Sequence, residues 1–405
     1  MLTIFGPISL DLYLPALPQL AGDLSASPSA SQLTLTVCML GLSLGQLVAG
    51  PWSDRFGRKR PLLVGIAVFV AASVLCGLAP NLTTLLIFRF VQGLGGACGV
   101  VIAQAIGRDL YTGARLVGFY GRLAVLGGLA AIIGPSLGGQ LATVTDWRGI
   151  FFVLGGIGAL VLAVALLLIP ETLPADRRHS GGVVDRFRGF VPLLQDPHYR
   201  GTVVTSGLMN AALFAYLAGA TFVMQVIYGL SPQVYALAFG LSSLTYALSA
   251  YLAGRLASRL SARIVIWIGL IVAAAGSVGI CVTALARITL AAMIISILVM
   301  VAGIALATPA LTSTALEGHP GSAGTASSLV GLARYAFGAA AAPLVGLAGE
   351  ASAVPMGIVT LTALILAILT FTVTPRTSHT AEADPHLPPN HSGPDNQEPR
   401  EQEMR

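Results

Sequence analysis

The sequence predicts an all-α membrane protein whose twelve transmembrane helices form two pseudo-symmetric six-helix bundles. Three observations carry that expectation. Of the 405 residues 55% are hydrophobic and only 10% charged, with a mean hydropathy of +0.82, where a soluble domain has about a quarter of its residues charged. Apolar runs of about 19 to 25 residues, each sufficient to cross the ~30 Å hydrocarbon layer as a helix, recur twelve times. The cations between those runs fall almost entirely on alternate loops.

Taken in order, the spans are expected at about 1–20, 33–51, 61–79, 82–105, 117–141, 149–170, 202–227, 233–254, 264–286, 288–311, 324–348 and 353–373. The loop Gly50–Arg60 carries Arg55, Arg58, Lys59 and Arg60 and marks its side as cytoplasmic by the positive-inside rule. With twelve spans that side collects fourteen cations, against Arg148 and Arg287 opposite, and both termini are cytoplasmic. The first apolar run lacks a basic flank and a small-residue cleavage site, so a span rather than a cleaved signal peptide is expected there. Residues 1–170 form the first bundle and 201–374 the second. A basic cytoplasmic linker, 171–200, joins them, and within it Val183–Leu194 is amphipathic enough to lie on the membrane surface. Residues 375–405, rich in proline, acids and asparagine, cannot bury a core and form a disordered cytoplasmic tail.

The halves repeat. Gly50-x-x-x-Asp54-Arg55-x-x-Arg58 recurs in eroded form as Gly254-x-x-x-Ser258-Arg259-x-x-x-Arg263, an offset of 204 residues that also carries Gly127 onto Gly331. Such repeats belong to transporters that rock two bundles about a central site. At that offset Asp11 and Arg89 map onto Ala215 and Met293, so ionic chemistry is expected in the first half, the second supplying mainly an apolar wall.

Asp11 is the one acid well inside a span; the other sixteen lie in loops, at span ends or in the tail. An intramembrane acid is costly unless paired, hydrated or protonated, and its environment can let it bind and release a proton near neutrality. The alternative is a structural acid at a helix end near Pro15 and Pro18. Arg89 keeps its charge; brought near Asp11 it would hold the acid ionised, and separation would free it, which makes proton affinity depend on conformation. Satisfaction by backbone carbonyls is its other account. Arg122 is expected to snorkel toward its helix end, and Arg334, beside Tyr335 and Phe337, either snorkels or faces the cavity. In the fifth span, Gly127 to Gly139 includes Gly134-Pro135-Ser136-Leu137-Gly138-Gly139, a kinked, small-residue packing surface. Helical spacing puts Asn210, Phe214, Thr221 and Gln225 on one face of the seventh span, and these with Tyr246, Arg334 and Tyr335 are candidate cavity residues.

Several classes are excluded. The single lysine, Lys59, follows an arginine, so there is no phosphate-binding Gly-Lys-Ser/Thr. Cys38, Cys76, Cys98 and Cys281 lie singly in apolar runs, read as packing residues rather than metal ligands. The histidines all lie outside the spans or at their edges, which disfavours a membrane-embedded enzyme; His379, His386 and His391 are in the tail. No cofactor or metal is expected, and the net charge of +5 reflects topology rather than nucleic-acid binding.

With these residues the chain resembles the major facilitator superfamily, twelve-span drug:proton antiporter type, and within it the bicyclomycin and chloramphenicol/florfenicol resistance (Bcr/CflA) exporters. The resemblance runs to about Pro375. It rests on the loop Gly50-Pro51-Trp52-Ser53-Asp54-Arg55-Phe56-Gly57-Arg58-Lys59, on Arg89-Phe90-Val91-Gln92-Gly93 and on the fifth-span run. It rests also on Asp11-Leu12-Tyr13-Leu14-Pro15, Arg108-Asp109-Leu110-Tyr111, Glu171-Thr172-Leu173-Pro174 and Ala323-Gly324-Thr325-Ala326-Ser327-Ser328-Leu329. Arg122 departs from that pattern. The resemblance implies the major facilitator fold in a bacterial inner membrane and export of small lipophilic compounds driven by the proton gradient. It assigns proton coupling to Asp11 and Arg89, and gating to Gly50, Asp54, Arg55, Gly57 and Arg58. Asp54 would latch against the helix that starts near Ser322, with Arg55 and Arg58 ordering the loop. The partners are then a small drug or metabolite, protons and the bilayer, in a monomer; a proton-coupled importer of a small metabolite is the alternative.

Overall fold

Four of the long helices start at a loop residue that caps them. The computed structural model describes residues 2–111, 113–174, 190–257, 259–286, 289–317, 323–348 and 352–375. Side-chain oxygens of Ser27, Asn81, Asp146 and Asp196 accept from Ala30, Thr84, Gly149 and His198 N–H groups, satisfying donors that the first turn leaves open. Behind those caps run α3 (Pro28–Phe56), α5 (Leu82–Leu110), α7 (Trp147–Leu168) and α9 (Pro197–Phe222). Before them come α1 (Phe5–Asp11) and α2 (Leu17–Asp23). Between and after them lie α4 (Lys59–Gly77), α6 (Gly113–Val144), α8 (Phe190–Gln195), α10 (Pro232–Ala257), α11 (Ala262–Leu285), α12 (Leu290–Glu317), α13 (Ala323–Ala341) and α14 (Val354–Val373).

Among the described residues, ten helices are long and apolar enough to cross a membrane, and there is no strand. The 32-residue α6 and the broken segment 2–23 fill the remaining two of the twelve places. The offset of 204 residues carries Pro28, the start of α3, onto Pro232, the start of α10. In the first half α3 packs on α5, and α4 on α5 and α7; in the second α9 packs on α13 and α14, α11 on α12 and α14, and α10 on α12. The halves meet where α6 packs on α10 and α3 on α13. The linker residues 175–189, the tail with its histidines, and Ser322 lie outside the described residues, as do the side chains of Arg122 and Gly127.

The first span departs from expectation, because it is not one helix. Prolines at 15 and 18 have no N–H to give to the carbonyls of Asp11 and Leu14, so α1 stops at Asp11 and the chain resumes as a 3₁₀ turn, Leu14–Ala16, before α2.

Close approach between α3 and α5 needs Gly93. A Cβ there would overlap the Cys38 carbonyl oxygen, which belongs to helix backbone and cannot yield cheaply. Gly93→Ala is therefore expected to cost about 1–3 kcal/mol and to lower the melting temperature in detergent, whereas Gly156→Ala, with no atom within 4 Å of the added carbon, leaves it unchanged; equal melting of the two variants would contradict this packing.

Candidate functional site

The break in the first span sets the central site. Ending α1 at Asp11 leaves the Ser9 carbonyl without a helical partner, and Arg89 Nη1 donates to it at 3.0 Å. Arg89 also donates from Nε to the Thr34 carbonyl at 3.3 Å and from Nη1 to Gln92 Oε1. Gln92 in turn donates to Ser73 Oγ at 2.6 Å. The guanidinium lies 4.5 Å from the ring centre of Tyr13 and 5.4 Å from that of Phe151, and the residue is fully buried. Its Nη2 has no hydrogen-bond partner among the described residues. Arg89 is thus held by carbonyls, an amide and two aromatic faces, and not by Asp11.

Asp11 points elsewhere. It is buried, 7% exposed, with no cationic side chain in salt-bridge range among the described residues. Just beyond it the turn Leu14–Ala16 packs on α9 and α10 of the second half, in which Tyr216 and Tyr235 lie buried. The fifth-span glycines permit this. A Cβ on Gly134 would lie 3.3 Å from that of Asp11, one on Gly138 would overlap the Leu12 carbonyl, and one on Gly139 would stand 2.6 Å from Ala236 of α10. With buried Pro135 between them, this face of α6 seats both the broken first span and the opposite half.

The remaining cavity candidates separate. Half-buried Asn210 donates to the Ser206 carbonyl at 2.9 Å, and the rings of Phe214 and Tyr335 stand 6.0 Å apart. Tyr246 is half-buried on α10. Arg334 donates to Ser206 Oγ at 3.1 Å and to Thr312 Oγ1 at 2.7 Å. Thr221 is fully buried and donates to the Tyr235 hydroxyl at 2.9 Å, and Gln225 Nε2 donates to the Pro15 carbonyl of the first half at 3.0 Å. Gln225 lies in a π-helical turn, Val223–Ile227, which widens the helix and shifts the register from there on. Nor is the second half mainly an apolar wall, since it brings three tyrosines and an arginine to the centre. Tyr216 and Tyr235 escaped the sequence analysis; both are polar residues well inside an apolar run, the one signal that could have found them.

A second cluster forms at the Gly50–Arg60 end. Gly57 closes α3 at φ +86°, a conformation that side chains resist, and so turns the chain for Arg58 to start α4. Arg58 is 6% exposed; it pairs with Asp54, and its Nε meets Asp109 Oδ2 at 2.7 Å. Burial alone would lower its pKa, but the bonds and charges of Asp109 and Asp54 outweigh it and hold the value above the ordinary one for arginine. Gly50 contributes its carbonyl, which accepts from Ser53 Oγ at 2.9 Å, and Ser53 Oγ accepts from Arg58 at 2.8 Å. Arg55 instead lies over the ring of exposed Phe56 at 5.4 Å. Glu171 completes the cluster: its carboxylate accepts from the backbone N–H groups of Arg58 at 2.7 Å and Lys59 at 3.2 Å. It thereby caps α4 from across the bundle, where Arg58 offers no side-chain cap of its own. Thr172 donates to Asp109 at 3.0 Å. Asp109 and Glu171 were legible only as parts of motifs, because spacing does not reveal that three loop ends converge.

Comparison with known proteins agrees with this architecture. The family model described as Major Facilitator Superfamily matches residues 1–343. The chain is 36% identical over 373 residues, 92% of each chain, to the "Uncharacterized MFS-type transporter YdgK" of Bacillus subtilis (strain 168). It is 29% identical over 356 residues, 88% of this chain and 89% of the other, to the "Bicyclomycin resistance protein homolog" of Haemophilus influenzae. A bacterial homologue of the human lysosomal transporter Spinster superposes with a TM-score of 0.73 at 17% identity, over 92% of this chain and 94% of that one, which shows the fold.

The trans cap carries a test. Glu171→Ala strips the acceptor from two helix N-terminal amides, and loss of a cap costs about 0.5–2 kcal/mol. Amide exchange at Arg58 and Lys59 should accelerate about two- to thirtyfold; exchange at the parent rate would show that Glu171 does not hold α4.

Proposed function

This chain belongs to the Major Facilitator Superfamily, and from that premise we propose that it is a proton-coupled exporter of small lipophilic compounds, working by alternating access. It is a transporter and not an enzyme. The observation that carries the proposal is the separation of Asp11 from Arg89: no ion pair joins them among the described residues, and the guanidinium is bonded within the first half instead. A buried acid without a cation beside it holds a proton more readily than one drawn toward a guanidinium such as that of Arg89. Rocking one half against the other then changes proton affinity, which is what coupling requires. One proton moving down a ~100 mV potential supplies ~2.3 kcal/mol, enough for modest uphill transport. Similarity to a protein named for bicyclomycin resistance supports export of antibiotic-like molecules, with phenicol-like compounds in the same size range. No cofactor takes part. The protein is a monomer in the bacterial inner membrane, with both termini, the linker and the tail cytoplasmic.

Contacts between the halves support a gate at each end. Away from the Gly50–Arg60 loop, Ser29 Oγ donates to the Pro343 carbonyl at 3.0 Å, Gln32 Nε2 to Ala218 at 3.2 Å and Gln225 to Pro15 at 3.0 Å. Helices α3 and α13 run antiparallel through Thr36 with Ala339 and Ser43 with Leu332. The same register, continued, brings Trp52 opposite Ala323, so that Asp54, at the end of α3, approaches the positive end of α13, where a carboxylate is favoured. Asp54→Asn is expected to weaken that latch and to shift a distance distribution measured between spin labels across the loop end; unaltered distributions would remove Asp54 from the gate.

The coupling is tested with purified protein in detergent, by following proton release on addition of phenicols or bicyclomycin. Release is expected from the parent and not from Asp11→Asn. Binding without release in the parent would replace the antiporter with an importer driven in the same direction as the proton, or with a facilitator, and would return Asp11 to a structural role.

A further inference from the structure

At the end of the seam away from the Gly50–Arg60 loop, α3 meets the second half without an ion pair among the described residues. Ser29 and Gln32, on its first turns, donate instead to the carbonyls of Pro343 and Ala218. Gly346 admits the approach, since a Cβ there would overlap the Ser29 amide nitrogen. Gln32 differs from Ser29 in one respect. A carbonyl can only accept, so the Gln32 N–H₂ group must face Ala218 and its oxygen faces the other way. Gln32 is 1% exposed, and that oxygen, Oε1, is buried with no hydrogen-bond donor among the described residues. Its neighbour is the 3₁₀ segment Ala342–Ala348, where a Cβ on Gly346 would stand 2.9 Å from it. Gln32 also lines a cleft with Pro28, Phe222, Val223, Ile227 and Val345, none of which has a side-chain donor. The cleft's one hydroxyl, that of Ser352, is bonded to the Val354 N–H at 3.2 Å rather than to Gln32. A buried acceptor left unpaired costs more than one hydrogen bond typically returns. Closing this end is therefore opposed by the same side chain that latches it, and parting the halves lets water reach the oxygen and lifts the cost.

We propose that Gln32 sets the balance between the open and closed states of this end: its N–H₂ group holds the closed seam in register, and its unpaired oxygen keeps closure reversible. The proposal rests on the alternating-access reading above and names a residue that tunes its conformational equilibrium. The test is the distance distribution between spin labels on Ser25→Cys and Ser231→Cys, exposed positions in the first and second half, in the full chain in lipid nanodiscs. Cys281→Ala, present throughout, removes the one native cysteine that is not buried. Ser29→Ala deletes a latch without relieving any unpaired group, and it raises the open-to-closed ratio about two- to tenfold. Gln32→Met, similar in length and without an amide, lowers that ratio about three- to thirtyfold, because the unpaired oxygen leaves with the bond. Gln32→Leu decides the matter if the methionine variant does not fold. Gly346→Ala, whose added carbon wedges against Ser29, supplies the open reference. A shift toward the open state in Gln32→Met, or no shift, overturns the proposal by making Gln32 an ordinary latch or a bystander, and leaves alternating access standing. If Gly346→Ala also keeps the parent distribution, this end does not open, and alternating access falls together with the proposal.

Discussion

A hydrocarbon layer offers no hydrogen-bond partner, so every polar group that enters it must be answered from within the protein. Arg89 shows how far this constraint organises the structure. A guanidinium fully buried at this depth needs acceptors, and an unbroken helix has none to spare. The first helix ends at Asp11, and the Ser9 carbonyl in its last turn is the one that Arg89 takes. The broken span and the buried arginine thus depend on each other, and the break leaves Asp11 at a helix end, at the seam between the halves.

Small residues then decide what the seam can hold. Gly134 and Gly138 let the backbone of the first span lie against α6, and Gly139 lets α6 meet α10. Larger residues there would push the first span, and Asp11 with it, away from α6. The internal repeat governs the backbone but not the chemistry: Ala215 and Met293, in the places of Asp11 and Arg89, are both buried and apolar. The second half contributes hydroxyls and one arginine instead. Each half therefore carries a charge that its repeat partner lacks, which makes the centre electrically asymmetric and able to distinguish ligands by charge.

The loop-end cluster answers a different need. Four cations in a short loop repel one another unless acids are brought to them. Asp54, Asp109 and Glu171 come from the end of α3, the end of α5 and the segment after α7, so Arg58 and the α4 N-terminus tie three elements into one unit. Because Glu171 opens the linker, the tether also fixes where the first half ends.

The sequence by itself determined the fold class, the helix positions to within a few residues at most ends, the repeat, and the identity of the rare charges. These depend on composition, apolar run length and cap residues, which are local. Tertiary structure alone decided which charges meet. Arg89 and Asp11 are held apart, the guanidinium being satisfied by the Ser9 and Thr34 carbonyls and by Gln92. The π-helical turn at Val223–Ile227, which changes the helical period around Gln225, had no signal in residue spacing. Tyr216, Tyr235, Asp109 and Glu171 joined sites from positions far along the chain. Hydropathy fixes where a helix crosses the membrane, but its rotation and neighbours come from packing between helices, and a site between two halves exists only once both are in place.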